Sequence, residues 1–246
     1  MTLWRLEWLR LLRTYRVIIL PGLFLLSAIL GPVLARYLPD LMESVGQGVE
    51  ITLPEPTPYE GILQYVQNVD QLGLLGVAIF AAMSVAFDGK REFAVFLRSR
   101  ASIPKILAPR LVAVYALSLV SLTVGGALAL ILTNALLGPP PVGEVIVGAF
   151  LYACWLGFVI ALVTVVASFI RSVLVTSLVS IGIIILMGIL TLVPQVGDWL
   201  PAELAGATIA LMDGGGFVYV PPLLVATAVS IGFIWLAIHR LEAREV

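Results

Sequence analysis

Charge is scarce in this chain. Only 12% of its 246 residues are Asp, Glu, Lys or Arg, about half the share of an ordinary soluble domain. There is one histidine, His239, and one cysteine, Cys154. A single thiol cannot close an intrachain disulfide. Cys154 sits in an apolar run and reads as a small packing residue, and His239 as an interfacial side chain where an apolar run ends. A zinc site needs three or four Cys, His or carboxylate ligands, and no such cluster runs along the sequence. Within the apolar runs there is no nucleophile with a base and no aspartate pair, which disfavours an intramembrane hydrolase. A phosphate-binding loop is missing too. At Gly89-Lys90 the pattern G-x-x-x-x-G-K-[ST] meets Ser84 at its first glycine and Arg91 after the lysine, so ATP is not bound by that route.

What the chain has instead is apolar length. Hydrophobic residues make up 61%, more than a soluble fold of this size can bury, and a bilayer takes up such an excess. A spanning helix needs about 20 mostly apolar residues. Six stretches qualify: Val17–Arg36, Leu72–Phe87, Ile106–Leu137, Val142–Ile170, Ser172–Val193 and Val218–Ile238. The first reads as an uncleaved span, being too long for the core of a signal peptide. No ionisable residue falls in the middle of any of the six, so a charge-free membrane interior is expected.

The remaining charges sort by sign. Every Lys and Arg except Arg36 falls in residues 1–16, between Lys90 and Arg110, at Arg171, or at Arg240 and Arg244. The other connections are acidic, with Asp40, Glu43, Glu50, Glu55, Glu60 and Asp70 in the first, Glu144 in the second, and Asp198, Glu203 and Asp213 in the third. The positive-inside rule then places both termini in the cytoplasm. The expected fold is an all-α membrane protein, a single transmembrane domain over 1–246. It has six transmembrane helices, an N-terminal interfacial helix at 1–16, a cytoplasmic loop at 88–105, and outer loops at 37–71 and 194–217.

Three of the connecting segments carry a pattern of their own. At helical spacing Trp4, Trp8, Leu11, Leu12 and Tyr15 share one face of the amino-terminal segment, opposite Glu7, Arg10, Arg13 and Thr14. Trp4, Trp8, Arg10, Arg13 and Tyr15 are the expected membrane-interface anchors. After the extended Pro54–Pro58 stretch, Tyr59–Gln71 has the apolar spacing of a helix leading into the second span. Ala202–Met212 is helical but too short to cross, so it is re-entrant, interfacial or a surface helix. The basic loop Asp88–Arg110 mixes charge with Phe93, Val95, Phe96 and Leu97. It reads as a contact surface, an extension of the third span, or a face for anionic lipid. Ser27, Ser118, Ser121, Thr123, Thr164 and Thr176 read as interhelical hydrogen-bonding residues.

This layout resembles the ABC-2 type transporter permease family, the membrane subunits of many bacterial ABC exporters. The likeness covers the whole chain: an arginine-rich elbow helix, six spans, a basic loop after the second, and a small helix pair before the sixth. Locally, Pro56-Thr57-Pro58 with the following Tyr65–Leu75 is similar to the family's second-span segment, and Ser99–Arg110 to the end of its coupling segment. The Gly-Thr that often follows the family's second span is absent here. The resemblance implies an exporter in the plasma membrane, with a second permease copy, two ATP-binding subunits that carry ATP and Mg, and a coupling helix in 88–105. It points to Arg91, Phe93, Phe96, Arg98 and Arg100 for the ATPase contact, with Arg171 as a second contact. Gly125, Gly126, Gly182 and Gly188 would permit close helix approach along the path. No enzymatic activity is expected of this chain itself. The rival readings are a non-transporting membrane anchor or assembly protein and a secondary carrier.

Overall fold

A computed structural model describes residues 3–14, 16–45, 56–85 and 102–243. All regular structure among them is helical. Helix α1 is Leu3–Leu12 and α2 is Arg16–Val45. Helix α3 runs Pro58–Val85, α4 Ile103–Leu136, α5 Val142–Phe169 and α6 Val173–Leu190. Two short helices come next, α7 at Pro194–Gly197 and α8 at Glu203–Met212, then α9 at Val220–Ala243. Six of these, α2 to α6 and α9, are long and apolar enough to cross a membrane. The chain is a multi-pass membrane protein.

Local chemistry sets the boundaries. Helix α3 starts at Thr57, whose extended backbone turns into Pro58. The Thr57 N–H donates to the Glu60 carboxylate at 3.0 Å, which satisfies one of the donors that a helix start leaves open. Ser172 caps α6, accepting from the Val175 N–H. Gly138 and Gly214 end α4 and α8 with φ of 104° and 81°, left-handed values that only glycine adopts without strain.

The second and first spans extend beyond the apolar runs. The expected helix at Tyr59–Gln71 is the first half of α3 itself. One 28-residue helix replaces the span expected at 72–87 and takes in the end of the expected outer loop. Its polar residues Gln64, Gln67, Asp70 and Gln71 break the apolar run, but Ile62, Tyr65 and Val69 on the other side are buried, and that face anchors the helix. Likewise α2 continues past Arg36 to Val45 despite Pro32 and Pro39. The other spans agree with the expected limits to within five residues.

The core forms where α3 and α5 meet α2, α4, α8 and α9. Trp155 and Phe158 of α5 stack with ring centroids 5.4 Å apart, and Phe158 reaches Phe233 of α9 at 5.9 Å. Small residues let backbones approach. A Cβ on Gly31 would lie 2.6 Å from the Tyr65 backbone nitrogen, and one on Gly148 would collide with Thr208. Five of the six hydroxyls expected to bond between helices donate within their own helix instead. Ser27, Ser118, Ser121, Thr123 and Thr164 each donate to the carbonyl four residues back in their own helix. That carbonyl is the nearest acceptor for a short hydroxyl side chain.

Candidate functional site

The unexpected feature is a polar face on α3. Gln67, Asp70 and Gln71 are exposed on the single chain, with Gln64 partly exposed beside them. Asp70 is the thirteenth residue of α3, about 18 Å from its start at ~1.5 Å per residue, just before the uninterrupted apolar stretch that begins at Leu72. The expected second span starts at Leu72 and leaves Asp70 in the outer loop, whereas α3 carries both in one helix. The backbone is irregular at the same place. Val69–Gly73 forms a π-turn, with the Leu74 N–H reaching back to the Val69 carbonyl. Such turns shift the angular register of the helix beyond them and are frequent at functional sites.

Among the described residues the carboxylate has one weak partner, the Tyr152 hydroxyl of α5, which donates to it at 3.4 Å. Tyr152 and Tyr65 line a small cavity between α3, α4, α5 and α8, together with Val66, Gly126 and Thr208. Tyr65 is 5% exposed, and its hydroxyl has no hydrogen-bond partner among the described residues. An amide-and-carboxylate stripe in hydrocarbon is costly. A face of this kind belongs against water or another protein, not against lipid.

No family model, curated protein or solved structure matches this chain. Any role for the site therefore rests on its own geometry.

A second charged cluster lies at the carboxyl end of α3. Arg110, eight residues into α4, is 5% exposed. Its Nε donates to Glu7 of α1 at 2.9 Å and its Nη1 to the Ser84 carbonyl near the end of α3 at 3.2 Å. Three elements meet at this guanidinium: the amino-terminal helix, the last turn of α3 and the first turns of α4. Those two turns flank the segment 86–101.

Arg91, Phe93, Phe96, Arg98 and Arg100 lie outside the described residues, as does Tyr15. Arg171 is exposed in the turn between α5 and α6. Beside that turn, Arg240 stacks on the Phe169 ring at 4.2 Å. In α1, Trp4 and Trp8 are exposed while Leu11 is buried. Glu7, Arg10, Leu11 and Thr14 line a cleft against α3 and α4, so Glu7, Leu11 and Thr14 turn inward and the tryptophans outward. Arg13 is exposed, and Arg10 lies 3.7 Å from Glu7. A Cβ on Gly125 would stand 3.1 Å from Phe24, and one on Gly126 3.6 Å from the Tyr65 hydroxyl. Gly182 and Gly188 have open space around them in the single chain. The signal for Asp70 was present in the sequence: a carboxylate among glutamines at the helical spacing 64, 67, 71.

Proposed function

We propose that this chain is the permease subunit of an ATP-driven ABC transporter, an exporter of the plasma membrane, and that cargo passes along the polar face of α3. The observation that carries the transport reading is Asp70, a carboxylate within a helix long and apolar enough to span, on a face open to its surroundings. In a bilayer such a face demands water or a protein partner. The ABC assignment draws on the resemblance in layout, in which the amino-terminal helix is the elbow and both termini are cytoplasmic. A second copy of the chain would close the path, and two ATP-binding subunits carrying ATP and Mg would dock at 88–105 and at Arg171. The Arg110 junction suits that role, because it ties both flanks of the docking segment to α1. Motion of a docked subunit would reach α3 and α4 together as a rigid-body shift.

The test is purification of the full chain from its native membrane in mild detergent, with identification of bound proteins and an ATPase assay. A stoichiometric ATP-binding subunit, lost when Phe93 and Phe96 are both replaced by alanine, is the expected result. A chain that emerges alone under several detergents sinks the ABC reading.

Asp70 also favours a second reading. A secondary carrier needs an ionisable group or a broken helix near mid-membrane, and Asp70, at the π-turn of a continuous helix, would be the ionisable group. Uptake into proteoliposomes driven by an ion gradient, without any ATPase, would select the carrier.

A further inference from the structure

The connection between α6 and α9 encloses an open cavity of about 520 Å³, within the roughly 300–1,000 Å³ of ligand clefts. It lies at the end of the molecule opposite α1. The link is the Tyr59 hydroxyl at the start of α3, which donates to Asp213 after α8 at 3.0 Å. The walls include Asp198, Trp199, Glu203, Phe217, Tyr219 and Pro222. We propose that this cavity binds an alkylammonium group, with Trp199, Phe217 and Tyr219 as the aromatic walls and Glu203 and Asp198 as the counter-charge.

Each part of the wall fits that ligand. Aromatic faces attract quaternary ammonium through their quadrupoles. Phe217 and Tyr219 meet edge to face with centroids 5.9 Å apart, so their planes are set at a corner as in a cage. Tyr219 is 5% exposed. Trp199 and Phe217 are both more than half exposed and stand free to close on a guest. Burial and the neighbouring Asp198 push the Glu203 carboxyl up, and burial, with Glu203 beside it, pushes up the Tyr219 hydroxyl. A bound cation relieves that crowding of like charge. The start of α9 beside the cavity would ordinarily draw an anion. Pro221 and Pro222 occupy its first turn and remove two of the N–H donors that an anion would need.

An ammonium group reaches this end of the chain either as a free solute or as a lipid headgroup. The proposal stands apart from the permease reading, since the test uses no ATPase. Full-length protein in phosphatidylglycerol nanodiscs is titrated calorimetrically with tetramethylammonium, and with 3,3-dimethylbutan-1-ol as an uncharged counterpart of choline. Tetramethylammonium binds and the alcohol does not. Glu203→Gln and, separately, Trp199→Ala each weaken binding about tenfold or more, while Glu144→Gln, an acidic residue outside the cavity, leaves it unchanged. Repeating the titration in phosphatidylcholine nanodiscs separates the sources: suppressed binding means the headgroup occupies the cavity, and undiminished binding means a soluble cation does. Equal binding of the alcohol, no binding of tetramethylammonium, or indifference to both cavity variants overturns the proposal.

Discussion

Two membrane helices that pack against each other treat charge in opposite ways. On α4, Arg110 is buried and answered at once by Glu7 and the Ser84 carbonyl. On α3, Asp70 is left on the surface with one long bond to Tyr152. The first arrangement is what a chain does with a charge that holds parts together: it satisfies the donors and excludes water. The second is unfavourable in lipid unless something outside the chain completes it. Paired charge marks a joint of the fold, and unpaired charge marks a surface with a use.

Breaking the joint has the largest expected effect. Arg110→Ala leaves Glu7 only the more distant Arg10, 3.7 Å away, and removes the guanidinium donor to the Ser84 carbonyl, and removing one member of a buried pair costs about 3–5 kcal/mol. The melting temperature in detergent should fall steeply, and protease should reach the amino-terminal helix. A variant that melts like the parent would mean that the joint is ornamental. Next in size is Gly31→Val. Its new methyl groups meet the Tyr65 backbone, where even a Cβ would stand at 2.6 Å. Overpacking of this kind costs about 1–3 kcal/mol, readable in the same melt, whereas Gly182→Val at an open position should cost little in the isolated chain.

Six spans could be read from apolar runs alone, because five of them are uninterrupted. The sixth, α3, was clipped to half its length for a physical reason. Its buried face is apolar while its other face carries three glutamines and Asp70, and an average over consecutive residues mixes the two. The charged junction was illegible for a different reason. Glu7 and Arg110 stand 103 positions apart, and nothing local announces that α1 folds its acidic side onto α4. Tyr59 and Asp213 meet at one end, and Arg240 lies over Phe169 at the turn beside Arg171. The glycine contacts at Gly31 and Gly148 depend on which helices become neighbours, which composition does not encode.

The unpaired charge makes the reverse prediction about stability. Asp70→Asn keeps the shape and an acceptor for the Tyr152 hydroxyl but removes the charge. The melt should stay within about 1 kcal/mol of the parent or rise slightly. Transport in reconstituted vesicles, by contrast, should drop about tenfold or more. A variant that transports normally would move Asp70 from the path to a mere protein contact. One that fails to fold would place it with Arg110 among the joints.

The smallest effect belongs to Glu203, and its sign is fixed. Burial and Asp198 raise its pKa in the folded chain, so the native state holds this proton more tightly than the unfolded chain does. Stability gained by protonation is then fully present below the ordinary glutamate range and is lost as pH rises through the raised folded value. Melts across the mildly acidic range, parent against Glu203→Gln, isolate this group from Asp198 and Tyr219, which face it in both proteins. The parent should gain stability relative to the variant as pH falls toward the ordinary carboxylate value. Saturating tetramethylammonium should flatten that difference, since a cation beside Glu203 favours the charged form. A difference that survives the cation unchanged would separate the titration of Glu203 from the cavity and leave the carboxylate as a local strain of the α8 start.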